Sequence, residues 1–423
     1  MPISITSKSL YKKLQKQYSR RINLDLKRIN LALNKLNNIH KLIQNPINVI
    51  GSDGKYSTLK SLQCFIEENG DKISSFTSPH LYDVRHRFWL KNKFISTKEI
   101  KKNIKIIEKL KIKLTLFELL TLVYFISSAK LKNVSYALVE AGLLYAKDST
   151  NVWNSPKCQI ITNINPQHLD WVKPKTLKEI CRQKVGFLSK NTTIYVGKQK
   201  LQTLKIIKKI LKKNPSKKVF YGQDWTIKKI NKKIIYSDKK DLIALRSKKI
   251  FSDGIWQNVG LAIKIARDLN ISKKNIEKAV PKLAFEGRMQ YIKRGKLRKF
   301  LIQKEKLLLD GCHSIAGANN LISYLKTLNK DIYGIWGMQK NRDPEKFIKS
   351  FKGIFRKIVT VKIPDEPNSC SAHDLQKIAN QANINSVASS NIHSAIKILS
   401  SEKEKIIVCF GSLYLVGKIL SLN

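Results

Sequence analysis

Short apolar runs alternate along the chain with longer segments in which apolar residues recur every three or four positions. Ile47 to Ile50, Ile73 to Phe76, Val134 to Val139, Ile160 to Ile164 and Thr193 to Val196 have the length and composition of strands. Helical spacing fills the gaps: Leu59, Leu62 and Ile66 share one face ahead of a capping Gly70, and Leu177 to Leu188 reads as another helix. Lys198 to Lys249 is poorer in pattern and rich in lysine, and a small peripheral β region is expected there. Leu261, Ile265 and Leu269 then mark a helical face, Ser272 opens a further helix, and Pro281 to Phe285 leads into a basic stretch ending near Lys299. Beyond it the alternation restarts, with strands at Leu307 to Leu309, Ile332 to Trp336, Ile358 to Val361 and Ile406 to Phe410. Alternating strands and helices imply mostly parallel sheets covered by helices. The expected architecture is α/β throughout: a domain over residues 1–285 with a short helical lead, a connector over 286–299, and a smaller Rossmann-like domain over 300–423.

Composition narrows the function classes. The 423 residues are 42% hydrophobic, enough for a core in each domain. The longest apolar run, Leu114 to Ala129, contains Glu118 and is too short to span a bilayer, so a cytoplasmic protein without membrane contact is expected. Six scattered cysteines form no C-x-x-C pair and suggest reduced thiols, not a disulfide framework or a zinc site. The formal charge of +51 would draw in polyanions. Yet the lysines are spread over almost every polar segment with an excess of Ile and Asn, and no Arg-rich stripe with interleaved aromatics appears. Compositional drift accounts for this without a specific nucleic-acid partner, while small substrates bearing several carboxylates or phosphates would still be attracted.

Candidate chemistry begins at Gly51-Ser52-Asp53-Gly54-Lys55-Tyr56-Ser57-Thr58, between a strand and a helix. Glycines let backbone N–H groups turn around phosphoryl oxygens, a helix N-terminus adds partial positive charge, and Lys55 adds a full one. Ser57 and Thr58 offer hydroxyls to Mg²⁺. Val49 stands where the common P-loop has its first glycine, and Tyr56 where it has Ser or Thr. Parallel sheets bind ligands at the carboxyl ends of their strands, which singles out Ser78, Pro79 and His80 after Thr77, Glu140 after Val139, and His168 after Ile164. Taken singly, Glu140 could be a cap or surface charge, His168 a loop residue, and Lys184 one more solvated lysine. In the second domain Asp310-Gly311-Cys312-His313 follows a strand, where Asp310 could accept from ribose or adenine and His313 reach a phosphate; a plain Asp-Gly turn is the alternative.

In order along the chain, these motifs resemble the Mur ligase superfamily, and within it the folate branch of folylpolyglutamate synthase/dihydrofolate synthase. The loop is similar to G-T-N-G-K-G-S, Thr77-Ser78-Pro79-His80-Leu81 to T-S-P-H-L, and Thr115 to Glu118 to T-x-F-E. Glu140-Ala141-Gly142-Leu143 with Asp148-Ser149-Thr150-Asn151 resembles E-V-G-L-G-G-R-L-D-A-T-N. His168 matches the histidine of a D-H pair, Arg182 to Gly186 an R-E-K-A-G, Gly287-Arg288 a G-R, Asp310 to His313 a D-G-A-H, and Gly411 to Tyr414 a G-S-L-Y. The residues before Gly51, with amphipathic Ile22 to Leu36, resemble the helical lead of the folate enzymes.

The resemblance implies a monomeric, P-loop-type ATP-binding domain and a ligase that phosphorylates a pteroate or folate carboxylate and then adds L-glutamate. It implies Lys55, Glu140, His168 and Lys184 as catalytic, with Lys184 carbamylated. Ser57, Ser78, Glu140 and His168 would serve two Mg²⁺ ions. Gly51 to Thr58 with Asn258, Arg288, Asp310 and His313 would hold ATP, and Thr77, Ser78, Pro79, His80 and Asp148 the acceptor substrate. Closure about the connector would bring Asp310 and His313 onto ATP. Departures from the pattern are Asp53 for Asn, Tyr56 for Gly, His86 for Glu, Leu144 and Tyr145 for two glycines, Ala146 for Arg, and Gln167 for Asp. They motivate one alternative, a catalytically weakened ATP-binding homologue; the charge motivates another, a nucleic-acid-dependent ATPase.

Overall fold

The apolar runs become the strands of two large sheets. The computed structural model describes residues 5–19, 23–231, 233–302, 304–400 and 404–423. These form two units, one made of the described residues up to Lys248 with Ile255–Leu283, the other of Lys249–Gly254 with Ala284–Asn423. No helix among the described residues is long and apolar enough to cross a membrane.

In the first unit, helices α1 (Ile5–Gln17) and α2 (Leu26–Lys35) precede β1 (Pro46–Ile50), α3 (Lys55–Glu68) and β2 (Ile73–Phe76). The hairpin β3 (Phe88–Leu90) and β4 (Lys93–Phe94) follows, then α4 (Thr97–Glu108), α5 (Leu116–Ala129), β5 (Tyr136–Glu140) and β6 (Cys158–Ile161). After α6 (Leu177–Val185) come β7 (Thr193–Val196), α7 (Leu201–Leu211) and β8 (Lys217–Phe220). The eight strands lie in the order β4-β3-β2-β5-β1-β6-β7-β8. All neighbours from β2 to β8 are parallel, and only the β2–β3 and β3–β4 pairs are antiparallel. β1 is buried at all five positions, as a central strand covered on both faces must be.

Helix α5 is anchored at its start by a capping box: the Thr115 hydroxyl accepts from the Glu118 N–H at 3.3 Å, and the Glu118 carboxylate accepts from the Thr115 N–H at 2.7 Å. The same carboxylate receives Arg28 of α2 at 2.9 Å, which ties the leading helices to the core. Val134 to Val139 becomes a strand only from Tyr136, and β6 ends at Ile161 instead of Ile164, leaving a polar segment, Thr162 to His168, outside the sheet.

Lys198 to Lys249 is not a purely β region. It holds helix α7, and β8 joins the edge of the main sheet by pairing with β7. Only β9 (Trp225–Ile230), β10 (Lys233–Asp238) and β11 (Leu242–Leu245) form the separate antiparallel sheet. The lysines hid the helical spacing of Ile207 and Leu211, which pack in one core with Ile194 and Val196. Helices α8 (Asp253–Asp268) and α9 (Lys273–Ala279) follow.

The second unit contains β12 (Gln290–Ile292), β13 (Lys306–Leu309), helix α10 (Ile315–Leu325), β14 (Asp331–Trp336), β15 (Lys357–Val361), β16 (Ser386–Ser389) and β17 (Lys405–Phe410). Their order is β12-β13-β17-β14-β15-β16, parallel except for β12 against β13. Successive side chains point to opposite faces: Leu308 packs with Leu321, Phe347 and Phe410, whereas Leu307 and Leu309 pack with Ile396 and Val416. A core on each face is the Rossmann-like arrangement. β12 lies within 286–299 and pairs Gln290 with Leu309.

Candidate active site

Strand order decides which loops meet. β2, β5, β1 and β6 are consecutive neighbours, so the residues after their carboxyl ends come together although far apart in sequence. Those residues are Thr77–Ser78, Glu140, the loop 51–54 and the segment Thr162–His168. The chain leaves β1 toward β2 on one side and later adds β6 on the other, making β1 the point where connections diverge.

The loop is held in a form only glycine tolerates. Gly54 has φ +88°, and a Cβ there would lie 2.5 Å from Asn258 Oδ1; at Gly51 a Cβ would lie 2.0 Å from Thr162 Oγ1. This close approach leaves a backbone cradle of the kind that phosphoryl oxygens fill. Lys55 Nζ donates to the carbonyls of Gly51 and Ser52 at 3.2 and 3.3 Å, placing its charge against the loop. Ser57 Oγ donates to Gly54 O at 3.2 Å and accepts from Asn258 Nδ2 at 2.8 Å, so Asn258 touches both the glycine and the hydroxyl. Thr58 Oγ1 is buried and has no hydrogen-bond partner among the described residues. Tyr56 is the second residue of α3 and only partly buried.

Glu140 is 4% exposed and its Oε2 accepts from the Ser78 N–H at 2.9 Å, fixing the end of β5 to the turn after β2. Ser57, Ser78 and Glu140 are oxygen donors, the class that hard Mg²⁺ prefers, and the neighbouring strand ends gather them; imidazole suits that ion less well. No group of three or more His, Cys, Asp or Glu that could hold a metal occurs among the described residues. His168 sits at the end of the β6 segment in left-handed backbone, φ +63°, where it starts a short turn.

Lys184 is the side chain that local sequence described least well. Far from being a solvated lysine on α6, it is 2% exposed, and its Nζ donates to Gly51 O at 2.9 Å and Leu143 O at 2.7 Å. Burial, helped by the nearby Lys55 charge, pulls its pKa from 10.5 down to about 7, with Asp148 and Asp53 acting weakly in the other direction.

The acceptor-substrate candidates are distributed differently. Thr77 is buried and its hydroxyl donates to His86 O at 3.3 Å. His80 Nδ1 accepts from Arg87 Nε at 2.9 Å, and its ring meets Tyr11 edge-on; burial, then Arg87, hold its pKa well below the usual value, leaving it neutral. Asp148 is spent inside its own loop, accepting from the N–H groups of Gly142, Leu143 and Thr150 and the Thr150 hydroxyl at 2.6–3.3 Å. Burial nonetheless raises its pKa. Leu144 and Tyr145 turn inward, 2% and 1% exposed, and the Tyr145 hydroxyl accepts from Gln159 Nε2 at 2.7 Å. The two residues that replace glycines thus anchor this loop instead of lining it.

The sequence reading passed over Thr162, Asn163 and Asn165. Thr162 Oγ1 donates to Asp53 O at 2.7 Å, and Asn163 O accepts from the N–H groups of Ser52 and Asp53 at 2.8 and 3.2 Å. A polar run immediately after a strand was the available signal.

In the second unit, Asp310 follows β13 and is 5% exposed; its oxygens accept from Met289 N at 2.9 Å and Cys312 N at 2.8 Å. Burial raises its pKa, opposed first by Arg288. A Cβ on Gly311 would lie 2.7 Å from Arg288 Nη1, so Arg288, Gly311 and Asp310 are packed together, and His313 Nδ1 contacts Gly311 O at 2.9 Å.

Comparisons with known proteins identify the family and the fold. The Bacillus subtilis dihydrofolate synthase/folylpolyglutamate synthase is 24% identical over 404 residues, covering 88% of each chain. Escherichia coli FolC, solved in complex with DHPP and ADP, superposes with TM-score 0.85 at 20% identity over 99% of this chain and 98% of that one. A bifunctional folylpolyglutamate synthase/dihydrofolate synthase solved with Mn, AMPPNP and L-glutamate has TM-score 0.84 at 18% identity over 99% and 98%. The dihydrofolate synthetase C-terminal domain model matches residues 293–422. The Mur ligase middle domain model matches residues 49–272, more than half of the chain, which therefore belongs to the Mur ligase family.

Proposed function

We infer that the protein is an ATP-dependent ligase that joins L-glutamate to a pteroate- or folate-type carboxylic acid through an acyl phosphate. The observation that carries this reading is the meeting of the glycine-lysine loop, Ser78, Glu140 and the Thr162–His168 segment at four adjacent strand ends. Relatives named for this activity support it, and neither a weakened homologue nor a nucleic-acid-dependent ATPase finds support among them.

A carboxylate is a poor electrophile until one of its oxygens becomes a leaving group. Its oxygen attacks the γ-phosphorus of ATP as the bond to the ADP oxygen breaks; the glutamate amine then attacks the acyl carbon, gives up a proton, and displaces phosphate. The protein's task is alignment and charge compensation. Loop N–H groups and Lys55 hold the phosphates, with Ser57 and Asn258 fixing the first turn of α3. Bound Mg²⁺ would neutralise charge spreading over the transferred phosphoryl group, and Ser57, Ser78 and Glu140, with His168, are the residues assigned to hold it, as two ions. In the second unit Arg288, Asp310 and His313 keep their assignment to nucleotide, and Thr77, Pro79, His80 and Asp148 to the walls of the acceptor site. Given how Asp148 and His80 are engaged, their part is to shape loops. We infer 1–285 and 300–423 as the two domains, with 286–299 between them in sequence, in a cytoplasmic monomer.

Lys184 has the properties that carbamylation requires. With its pKa near 7, much of the amine is unprotonated at neutral pH and can add CO₂, forming an N–C bond and releasing a proton, to leave a carboxylate beside the Lys55 charge. Protein equilibrated with ¹³C-bicarbonate should show a carbamate carbon signal by NMR that is lost in Lys184→Ala.

The function itself is tested by incubating the protein with ATP, Mg²⁺, L-glutamate and either dihydropteroate or a reduced folate, then weighing the products. One added glutamate with stoichiometric ADP is expected; no turnover with any such acceptor overturns the reading.

A further inference from the structure

Two departures from the pattern that this chain resembles meet in space. Asp53 stands where that pattern has Asn, and Gln167 where it has Asp. Gln167 Nε2 donates to Asp53 Oδ2 at 2.9 Å, and Asn165 Nδ2 donates to the same oxygen at 2.7 Å. The side-chain contact reinforces a backbone strap: Asn163 O accepts from Ser52 N and Asp53 N, Asp53 and Asn163 form an isolated bridge, and Ser52 Oγ accepts from Asn165 N at 3.2 Å. Asn165 is buried, and Asp53 and Gln167 are partly so. One loop carries the phosphate-binding lysine and the other ends at His168.

We propose that Asp53 and Gln167 are an acid–amide pair whose acid has changed sides, and that the Asp53 carboxylate is the positioning residue that holds the Asn165–His168 segment on the phosphate loop. The chemistry requires one acid and one amide. Two carboxylates would repel at this distance, and two amides would keep only a neutral hydrogen bond where a charge-assisted pair of bonds now stands. Either single change should therefore loosen the strap, and the double exchange should restore the charge-assisted bond between positions 53 and 167, with the charge on the opposite loop and the Asn165 bond left neutral. This deepens the ligase reading and rests on it, since what is positioned is the phosphate loop and His168.

The test is a double-mutant cycle on the full chain with Asp53→Asn, Gln167→Asp and both together. ADP with Mg²⁺ is titrated by calorimetry, and thermal melting is followed without nucleotide. Asp53→Asn should weaken ADP binding by about fivefold and Gln167→Asp by about tenfold or more, with the double variant within about twofold of the original protein. The KM for ATP should follow the same order while that for glutamate stays level. Single effects that multiply in the double variant, or an Asp53→Asn protein that binds and melts like the original, overturn the proposal. Should Gln167→Asp fail to fold, Gln167→Ala replaces it: combined with Asp53→Asn it should cost no more than the worse single change, and additivity would again refute the pair. If the original protein binds no ADP, the ligase reading fails, while the melting cycle still decides the pairing.

Discussion

Lys184 and Gly54 illustrate how much a single side chain, or its absence, commits at this site. The Lys184 amine titrates near pH 7 in the folded protein against an ordinary value of 10.5. Above both values the amine is neutral in either state and costs nothing. As pH falls from about 10.5, the unfolded chain takes up a proton that the folded chain refuses until about 7, so this group makes stability decline over that window and level off below it. In bicarbonate-free buffer the urea midpoint should therefore rise between pH 7 and 10 relative to Lys184→Met, whose own profile lacks that component. Equal slopes for both proteins would show that the amine is not held neutral. At Gly54 the argument is steric: φ +88° already disfavours a side chain, and the added Cβ meets Asn258 at 2.5 Å. Gly54→Ala should lose about 1–3 kcal/mol of stability and most nucleotide affinity. Urea unfolding measures the first and calorimetry with ADP the second, and full retention of binding would mean that the cradle is not rigid.

Elements differ in how openly their sequences declare them. β1, β7 and the second-unit strands through Leu308, Ile335, Val359 and Val408 are mostly apolar and buried because helices cover both faces, and they are the strands most legible from pattern. β16, with only Ser386 and Ser389 buried in Ser386–Ser389, and the two-residue β4 are edge strands that carry too little apolar character to announce themselves. α7 was obscured because Lys205, Lys208 and Lys209 within it, and Lys198, Lys200, Lys212 and Lys213 beside it, look alike whether on a helix or a strand. The site was legible where chemistry is local, as in the loop and in Glu140 at a strand end. It was illegible where it depends on pairing across the sheet: nothing in sequence joins Asp53 to Gln167, 114 residues on, or distinguishes buried Lys184 from its exposed neighbours. The leading helices make a testable case at this scale. Glu118 caps α5 and receives Arg28, and removing it exposes two N-terminal donors and takes from a partly buried guanidinium its closest carboxylate, leaving it Asp25 at 3.8 Å and the Asn23 carbonyl. Glu118→Ala should cost about 2–4 kcal/mol, read from urea unfolding, whereas Arg28→Ala leaves the capping box intact and should cost less.

Across the whole molecule, 81 basic residues face 30 acidic ones, so most lysines have no acidic partner to meet. Some lie over aromatic rings, as Lys198 does on Tyr221 and Lys208 on Phe220. The exposed positions on β9 and β10 include Lys228, Lys229 and Lys233. This distribution is diffuse, and a diffuse field acts on every anion without selecting one. ATP and folate-type acids are both anions, so their encounter rates should gain at low salt and lose as the screening length shrinks from about 10 Å at 0.1 M ionic strength toward about 3 Å at 1 M. The chemical step takes place among groups already in contact and should respond far less. Raising the ionic strength should therefore increase KM for ATP and for the acceptor together while leaving kcat nearly constant, with DNA or RNA failing to stimulate ADP release. The opposite pattern, a salt-sensitive kcat with stimulation by nucleic acid, would mean that the charge forms a dedicated polyanion surface after all.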